Sequence, residues 1–309
     1  MKMLQPNAQD YTEHASDIVA KAADLVTQGR PFALITSLAI EGGAAREVGS
    51  LALVESSGAM TGYLSNGCID KDIQLHAIDT LTTKTKKLIR YGDGSRYADL
   101  KLPCGGALTV LIDPTPDKDA ILQAAAGFAA RQTVSLSFQS PDELEQPTTK
   151  TFEYAPTHRL VLAGRGAIFR SMVQMGRSTG YEVFALSPDE DDLLAIGPHL
   201  DAEPIHLRSP SADHRLDMLD QHSAFLTLFH DHDWEPSLLK SALETKAHFI
   251  GSLGSHRTHE MRKETLRQMQ VSEQSLTRLH GPIGLVPSLR DASSIAISAL
   301  AEVVAAMRI

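Results

Sequence analysis

The chain has 309 residues, 42% of them hydrophobic, with 38 acidic side chains against 29 Lys and Arg and a formal net charge of -9. That length can bury a sizeable core and favours two domains, while the acidic balance argues against nonspecific nucleic-acid binding. No apolar run approaches the ~20 residues that span a bilayer, Met1–Pro6 lacks a signal-peptide core, and two cysteines cannot found a disulfide framework, so a cytoplasmic protein with reduced thiols is expected.

In chain order, a helix is predicted over 8–29, followed by short apolar runs at 32–38, 50–54 and 107–112 that read as strands between Gly-rich turns. After Cys68, the residues Ile69, Ile73, Ala77, Ile78 and Leu81 recur at helical spacing. The polar, Pro-containing stretch Ser140–Pro147 marks the boundary region, giving domains 1–145 and 146–309, although a strand at 150–154 fits either side. Beyond it strand and helix alternate. Strands at 159–163, 181–186, 224–229 and 248–250 with intervening helices imply a parallel, doubly wound sheet that binds ligands at its carboxyl edge. A last helix over 292–307 carries an apolar stripe at Ile295, Ala299, Val303 and Ala306, which suits core packing better than a homodimer interface.

Two glycine turns fall on that carboxyl edge. Gly251-Ser252-Leu253-Gly254-Ser255 precedes the basic run His256, Arg257, His259, Arg262 and Lys263. Its glycines would let backbone amides approach an anion, with Ser255 as N-cap and the helix dipole adding positive potential. An ordinary capped helix with a solvated basic face fits the same residues. The second turn, Gly164-Arg165-Gly166, departs from a dinucleotide fingerprint. Phe169 stands at the third glycine position, and Ser187 stands where a ribose-binding acid is expected, with Asp189 two residues further on.

Cys104 lies in Pro103-Cys104-Gly105-Gly106 and Cys68 in Asn66-Gly67-Cys68-Ile69-Asp70. A glycine-flanked loop exposes amides that can stabilise a thiolate, which can ligate a soft metal or carry sulfur, although cysteine is also a common small core filler. His230-Asp231-His232-Asp233 follows the third strand of the second domain and suits a ligand-facing loop better than a metal site.

In this order and spacing, these motifs resemble the XdhC/CoxI family, accessory proteins that serve molybdenum hydroxylases such as xanthine dehydrogenase. Gly43–Gly49 with Arg46, the Cys68 loop, Cys104-Gly105-Gly106, Gly251–Ser255 followed by Arg257, and His280–Leu285 with the closing helix carry the likeness. Ala45, Asn66 and Asp70 depart from the family's usual residues, which suggests a divergent member. The resemblance implies an α/β chain, an N-terminal α+β domain followed by a C-terminal Rossmann-like doubly wound sheet, acting as a non-catalytic chaperone. It would bind the molybdenum cofactor, as molybdopterin or a dinucleotide form, support its sulfuration and deliver it to an apo-molybdoenzyme of the xanthine dehydrogenase family, with a cysteine desulfurase as a further partner. The implied cofactor contacts are Cys104, Cys68, Gly105, Gly106, Arg46, Gly164, Gly166, His230, Gly251, Ser252, Gly254, Ser255 and Arg257, with Cys104 nearest the molybdenum. An NAD(P)-dependent oxidoreductase using the Gly164–Gly166 turn, with His230 or His232 as acid/base, is the alternative reading.

Overall fold

The computed structural model of the chain describes residues 9–95, 105–141, 148–212, 214–231 and 233–307. The chain divides into two units, Met1–Pro156 and Thr157–Ile309.

The first unit runs β1 (Gln9–Asp10), α1 (Ala15–Thr27), β2 (Phe32–Glu41), β3 (Leu51–Glu55), β4 (Met60–Gly62), α2 (Asp70–Thr83), β5 (Lys87–Gly92), β6 (Ala107–Asp113), α3 (Lys118–Ala129), β7 (Val134–Gln139) and β8 (Thr149–Tyr154). Six strands form one sheet in the order β1-β4-β3-β2-β6-β5, antiparallel except for β1 beside β4. Alternation along β2 divides the core between its two faces. Ala33 and Ile35 pack with α2, whereas Phe32 and Leu34 pack with α1, α3 and the β7–β8 hairpin. That hairpin settles the boundary. Phe138 of β7 and Phe152 of β8 are ring neighbours in the first core, so the division falls at 156/157 and not at the expected 145/146. A strand at 149–154 that could face either way from its sequence is held by its antiparallel partner.

The second unit runs β9 (Arg159–Gly164), α4 (Gly166–Ser178), β10 (Glu182–Ser187), α5 (Glu190–Ile196), β11 (Ile205–His206), β12 (Ser223–Leu228), α6 (Glu235–Leu243), β13 (Phe249–Ser252), α7 (His256–Gln268), α8 (Glu273–Leu276), β14 (Leu279–His280) and α9 (Ala292–Met307). Its six strands are all parallel in the order β11-β10-β9-β12-β13-β14, the doubly wound 3-2-1-4-5-6 arrangement of a Rossmann sheet. The apolar run of β9 is buried on both sides, as parallel strands require. Leu160 and Leu162 face α4, α5 and α9, while Val161 and Ala163 face α6, α7 and α8. On α9 the expected stripe holds, since Ala299 and Val303 are fully buried and Ala306 packs against the same core. Strand order reverses between β9 and β12, which opens a crevice at their carboxyl ends. No helix among the described residues is long and apolar enough to cross a membrane.

Candidate functional site

In the second unit, a cavity of about 770 Å³ lies at the carboxyl edge of the sheet. Its walls come from Ile168 of α4, Phe229 and His230 after β12, Leu253, Gly254 and Ser255 of the β13–α7 turn, His256 and Thr258 of α7, the segment Pro282–Leu289, and Ile295 and Ser298 of α9. One side is therefore apolar, with Ile283, Leu285, Val286, Pro287 and Leu289, and the other presents the start of a 13-residue helix. Ser255 is the N-cap of α7, its Oγ accepting from the Thr258 amide at 3.1 Å. Gly254 sits at φ +142°, a backbone conformation that favours glycine, and His230 and Ser255 both line the cavity. Partial positive charge from the helix start thus faces an apolar wall across the cavity, an arrangement that favours an anionic group at one side and apolar surface at the other.

Other expected contacts have a different job. Gly251 lies within β13, where a Cβ would fall 2.6 Å from Cγ2 of Ile283, so its missing side chain makes room for packing. Ser252 is fully buried, its hydroxyl meets that of Thr227 at 2.6 Å, and it is not among the cavity-lining residues. Arg257 is exposed and is not among the cavity-lining residues. Arg262, counted with the basic face, is instead buried against Glu235. His259 is also buried, and burial, followed by the charges of Lys263 and Arg262, pushes its imidazole down to about 4. Gly164 and Gly166 serve the backbone. A Cβ at Gly164 would approach Cβ of Leu228 to 2.8 Å, and the Gly166 amide donates to Asp192. In the run 230–233, Asp231 pairs with Arg165, and His232 lies outside the described residues. Among the described residues, no group of three or more His, Cys, Asp or Glu could hold a metal ion.

The first unit gathers its motifs at one end of its own sheet. Glu41 at the end of β2 and Gly92 at the end of β5 both pair with Ala107 at the start of β6, and β4 ends at Gly62 beside the start of β3. The segments carrying Arg46, Cys68 and Gly105-Gly106 therefore all leave the same end. Cys104 lies outside the described residues. Gly106 fits only without a side chain, since a Cβ there would stand 2.6 Å from the carbonyl oxygens of both Glu41 and Gly43. Cys68 is exposed, two residues before α2. Its loop is built around Asp70, a buried carboxylate that accepts from the amides of Leu64, Ser65 and Gly67 and from the Ser65 hydroxyl. Arg46 donates to the Glu13 carbonyl at 2.6 Å and lies over the Tyr63 ring at 4.7 Å, so its guanidinium is already engaged within the unit.

Comparison with known proteins places these features. The model of the XdhC and CoxI family matches residues 25–92, and that of the XdhC Rossmann domain matches residues 160–303. Over an alignment of 312 positions the chain is 30% identical to the molybdenum cofactor insertion chaperone PaoD of Escherichia coli strain K12, covering 97% of this chain and 91% of that protein. It is 23% identical to the uncharacterized protein YqeB of the same organism, across 93% of this chain and 46% of that one, so it spans about half the length of that relative. A crystal structure from Bacillus halodurans described as a xanthine dehydrogenase shares the fold, with a TM-score of 0.74 at 20% identity over 94% of this chain and 95% of that one. With both units matched and one relative aligned almost end to end, the chain belongs to the XdhC and CoxI family.

Proposed function

We propose that the chain is a non-catalytic accessory protein that takes the molybdenum cofactor as cargo, shelters it during sulfuration and passes it to an apo-molybdoenzyme of the xanthine dehydrogenase type. The observation that carries this reading is the near full-length relationship to a molybdenum cofactor insertion chaperone. The cavity of the second unit supports it chemically. Molybdopterin combines a flat heterocycle with a phosphate, or with a pyrophosphate in its dinucleotide forms. In this reading the phosphate meets the α7 start at Gly254 and Ser255, where the helix dipole supplies positive potential, with Arg257 as an exposed cation of the same first turn, and the ring system lies against Ile283, Leu285 and Val286.

The first unit would supply sulfur chemistry through its thiols, with Cys104 as the contact nearest the molybdenum and Cys68 as the second. A thiolate is the soft ligand that molybdenum and sulfur transfer call for. A cytoplasmic setting, a cysteine desulfurase as sulfur source and a homodimer belong to the same proposal.

The test is expression in a host that makes molybdenum cofactor, followed by oxidation of the purified protein and measurement of pterin fluorescence. A stoichiometric pterin signal is expected. Absence of the signal, together with failure of added cofactor to bind, overturns the proposal.

A further inference from the structure

The second unit has the strand order of a dinucleotide-binding sheet and a Gly164-Arg165-Gly166 turn at the end of its first strand. In such sheets a pyrophosphate rests on the start of the following helix, where free amides and the helix dipole attract negative charge. Here a side chain of the protein itself takes that place. Asp192, in the first turn of α5, has a side chain only 3% exposed. Its Oδ2 accepts from the Gly166 amide, the first of α4, at 2.6 Å, and its Oδ1 accepts from Arg170 Nε. Arg165, between the two glycines, is paired with Asp231 on the loop after β12. The first amide of α4 and the guanidinium groups of Arg165 and Arg170 thus all meet carboxylates.

The rest of the ligand's usual seat is altered in the same sense. Phe169 at the third glycine position is fully buried in the core between α4 and the sheet. Ser187, at the end of β10 where a ribose-binding acid would stand, is also fully buried, and its hydroxyl accepts from the Asp189 amide at 3.1 Å.

We infer that Asp192 is an internal anion that closes the Gly164–Gly166 turn to pyrophosphate-bearing ligands, which makes it the residue determining that this Rossmann sheet refuses a dinucleotide at the customary place. An arriving pyrophosphate would find its amide taken and its own charge set against a buried carboxylate, and it could displace that carboxylate only by leaving a buried charge without the amide and guanidinium that satisfy it. Removing the carboxylate reverses both effects, because it frees the Gly166 amide and leaves Arg170 unpaired beside it. The inference does not depend on the identity of the cargo; an anion seated at the start of α7 leaves it untouched.

The full-length protein is titrated with NADH and with ADP while amide exchange is followed in the peptide 165–170. Wild-type protein is expected to show no protection there, and any protection confined to 254–258 counts for the inference, since it places the anion on the other helix. Asp192→Ala and Asp192→Asn, checked for folding by circular dichroism, are each expected to gain at least about tenfold in ADP affinity with new protection at 165–170. The inference is overturned if either ligand protects 165–170 in the wild-type protein, a measurement that needs no variant. It is equally overturned if a folded Asp192 variant gains neither affinity nor protection.

Discussion

Arg262 of α7 and Glu235 of α6 form a buried ion pair whose side chains are 3% and 1% exposed, with Nη2 and Nε reaching the carboxylate at 2.9 and 3.1 Å. The same Nη2 donates to the Leu253 carbonyl at 2.8 Å, and the Thr227 hydroxyl donates to Glu235 at 3.0 Å. The ion pair therefore ties α7 and α6 to the turn that forms the cavity wall through the guanidinium, and to β12 through the carboxylate. Glu235→Ala leaves a cation buried without its counter-charge and is expected to cost ~3–5 kcal/mol. Urea unfolding monitored by circular dichroism measures it. A midpoint like that of the wild type would show that water or another acceptor replaces the carboxylate.

Asp70 organises the loop that presents Cys68. Its four accepted hydrogen bonds, three of them from backbone amides, hold Leu64 to Gly67 in a closed turn before α2. Asp70→Ala strands those donors, with an expected loss of about 2–3 kcal/mol. The Cys68 thiol should then react faster with a disulfide reagent, measured in a Cys104→Ser background so that one thiol reports. Unchanged labelling would place the loop's order elsewhere.

The two thiols are expected to differ in weight for the proposed cargo. Cys104→Ser should lower pterin retention or the sulfurated fraction more than Cys68→Ser, because Cys104 is the thiol proposed to lie nearest the molybdenum, and Gly106, two residues after it, leaves no room for a side chain beside the Glu41 and Gly43 carbonyls. Retention and sulfuration equal to wild type in both variants would remove the thiols from the proposal.

Much of the architecture is legible in local pattern, because the forces that set it are local. The apolar run Leu160–Ala163 and the glycines around it announce a buried parallel strand and its turn, and Ser255 announces a helix start. What pattern cannot supply is the partner of a charged side chain. Arg262 looks like one of five basic groups on a helix until Glu235, 27 residues earlier, takes it into the core. Asp192 looks like a surface acid in a helix rich in acids, yet it answers to an amide 26 residues before it. Both pairs are long-range, and both change the reading of a glycine turn from a free anion site to a supported or occupied one. Glycine has a parallel ambiguity: Gly251 and Gly254 share a motif, but the first makes room for Ile283 and the second adopts a positive φ.

Gly105 and Gly106 separate two reasons for glycine at adjacent positions. Gly105 has φ +69° and open space where a Cβ would point, so Gly105→Ala is expected to cost about 1 kcal/mol from backbone strain alone. At Gly106 a Cβ would stand 2.6 Å from two carbonyl oxygens, which no side-chain rotation can relieve. Gly106→Ala is therefore expected to cost about 2–3 kcal/mol. Thermal unfolding of the two variants side by side checks the order, and the reverse order would show that β6 can shift away from the Glu41–Gly43 turn.

His259 gives the chain a pH dependence whose direction follows from its surroundings. The ring is buried against Gly281, where a Cβ would fall 2.1 Å from Nδ1, and no hydrogen-bond partner meets that nitrogen among the described residues. Burial, then Lys263 and Arg262, disfavour the imidazolium, with Glu260 opposing them, and the folded-state value falls to about 4 from an ordinary 6.5. Between those values the unfolded chain takes up a proton that the folded chain refuses, so stability rises with pH across that window. The contribution is complete above about pH 6.5, is lost as the pH falls toward 4, and amounts to something on the order of 3 kcal/mol. His259→Gln removes the titration while keeping a polar side chain of similar reach. The difference in unfolding free energy between wild type and this variant should therefore shrink steadily from pH 6.5 to pH 4, with the wild type losing ground. Parallel curves across that range would mean that His259 titrates alike in both states, and its burial would then carry no cost in protonation.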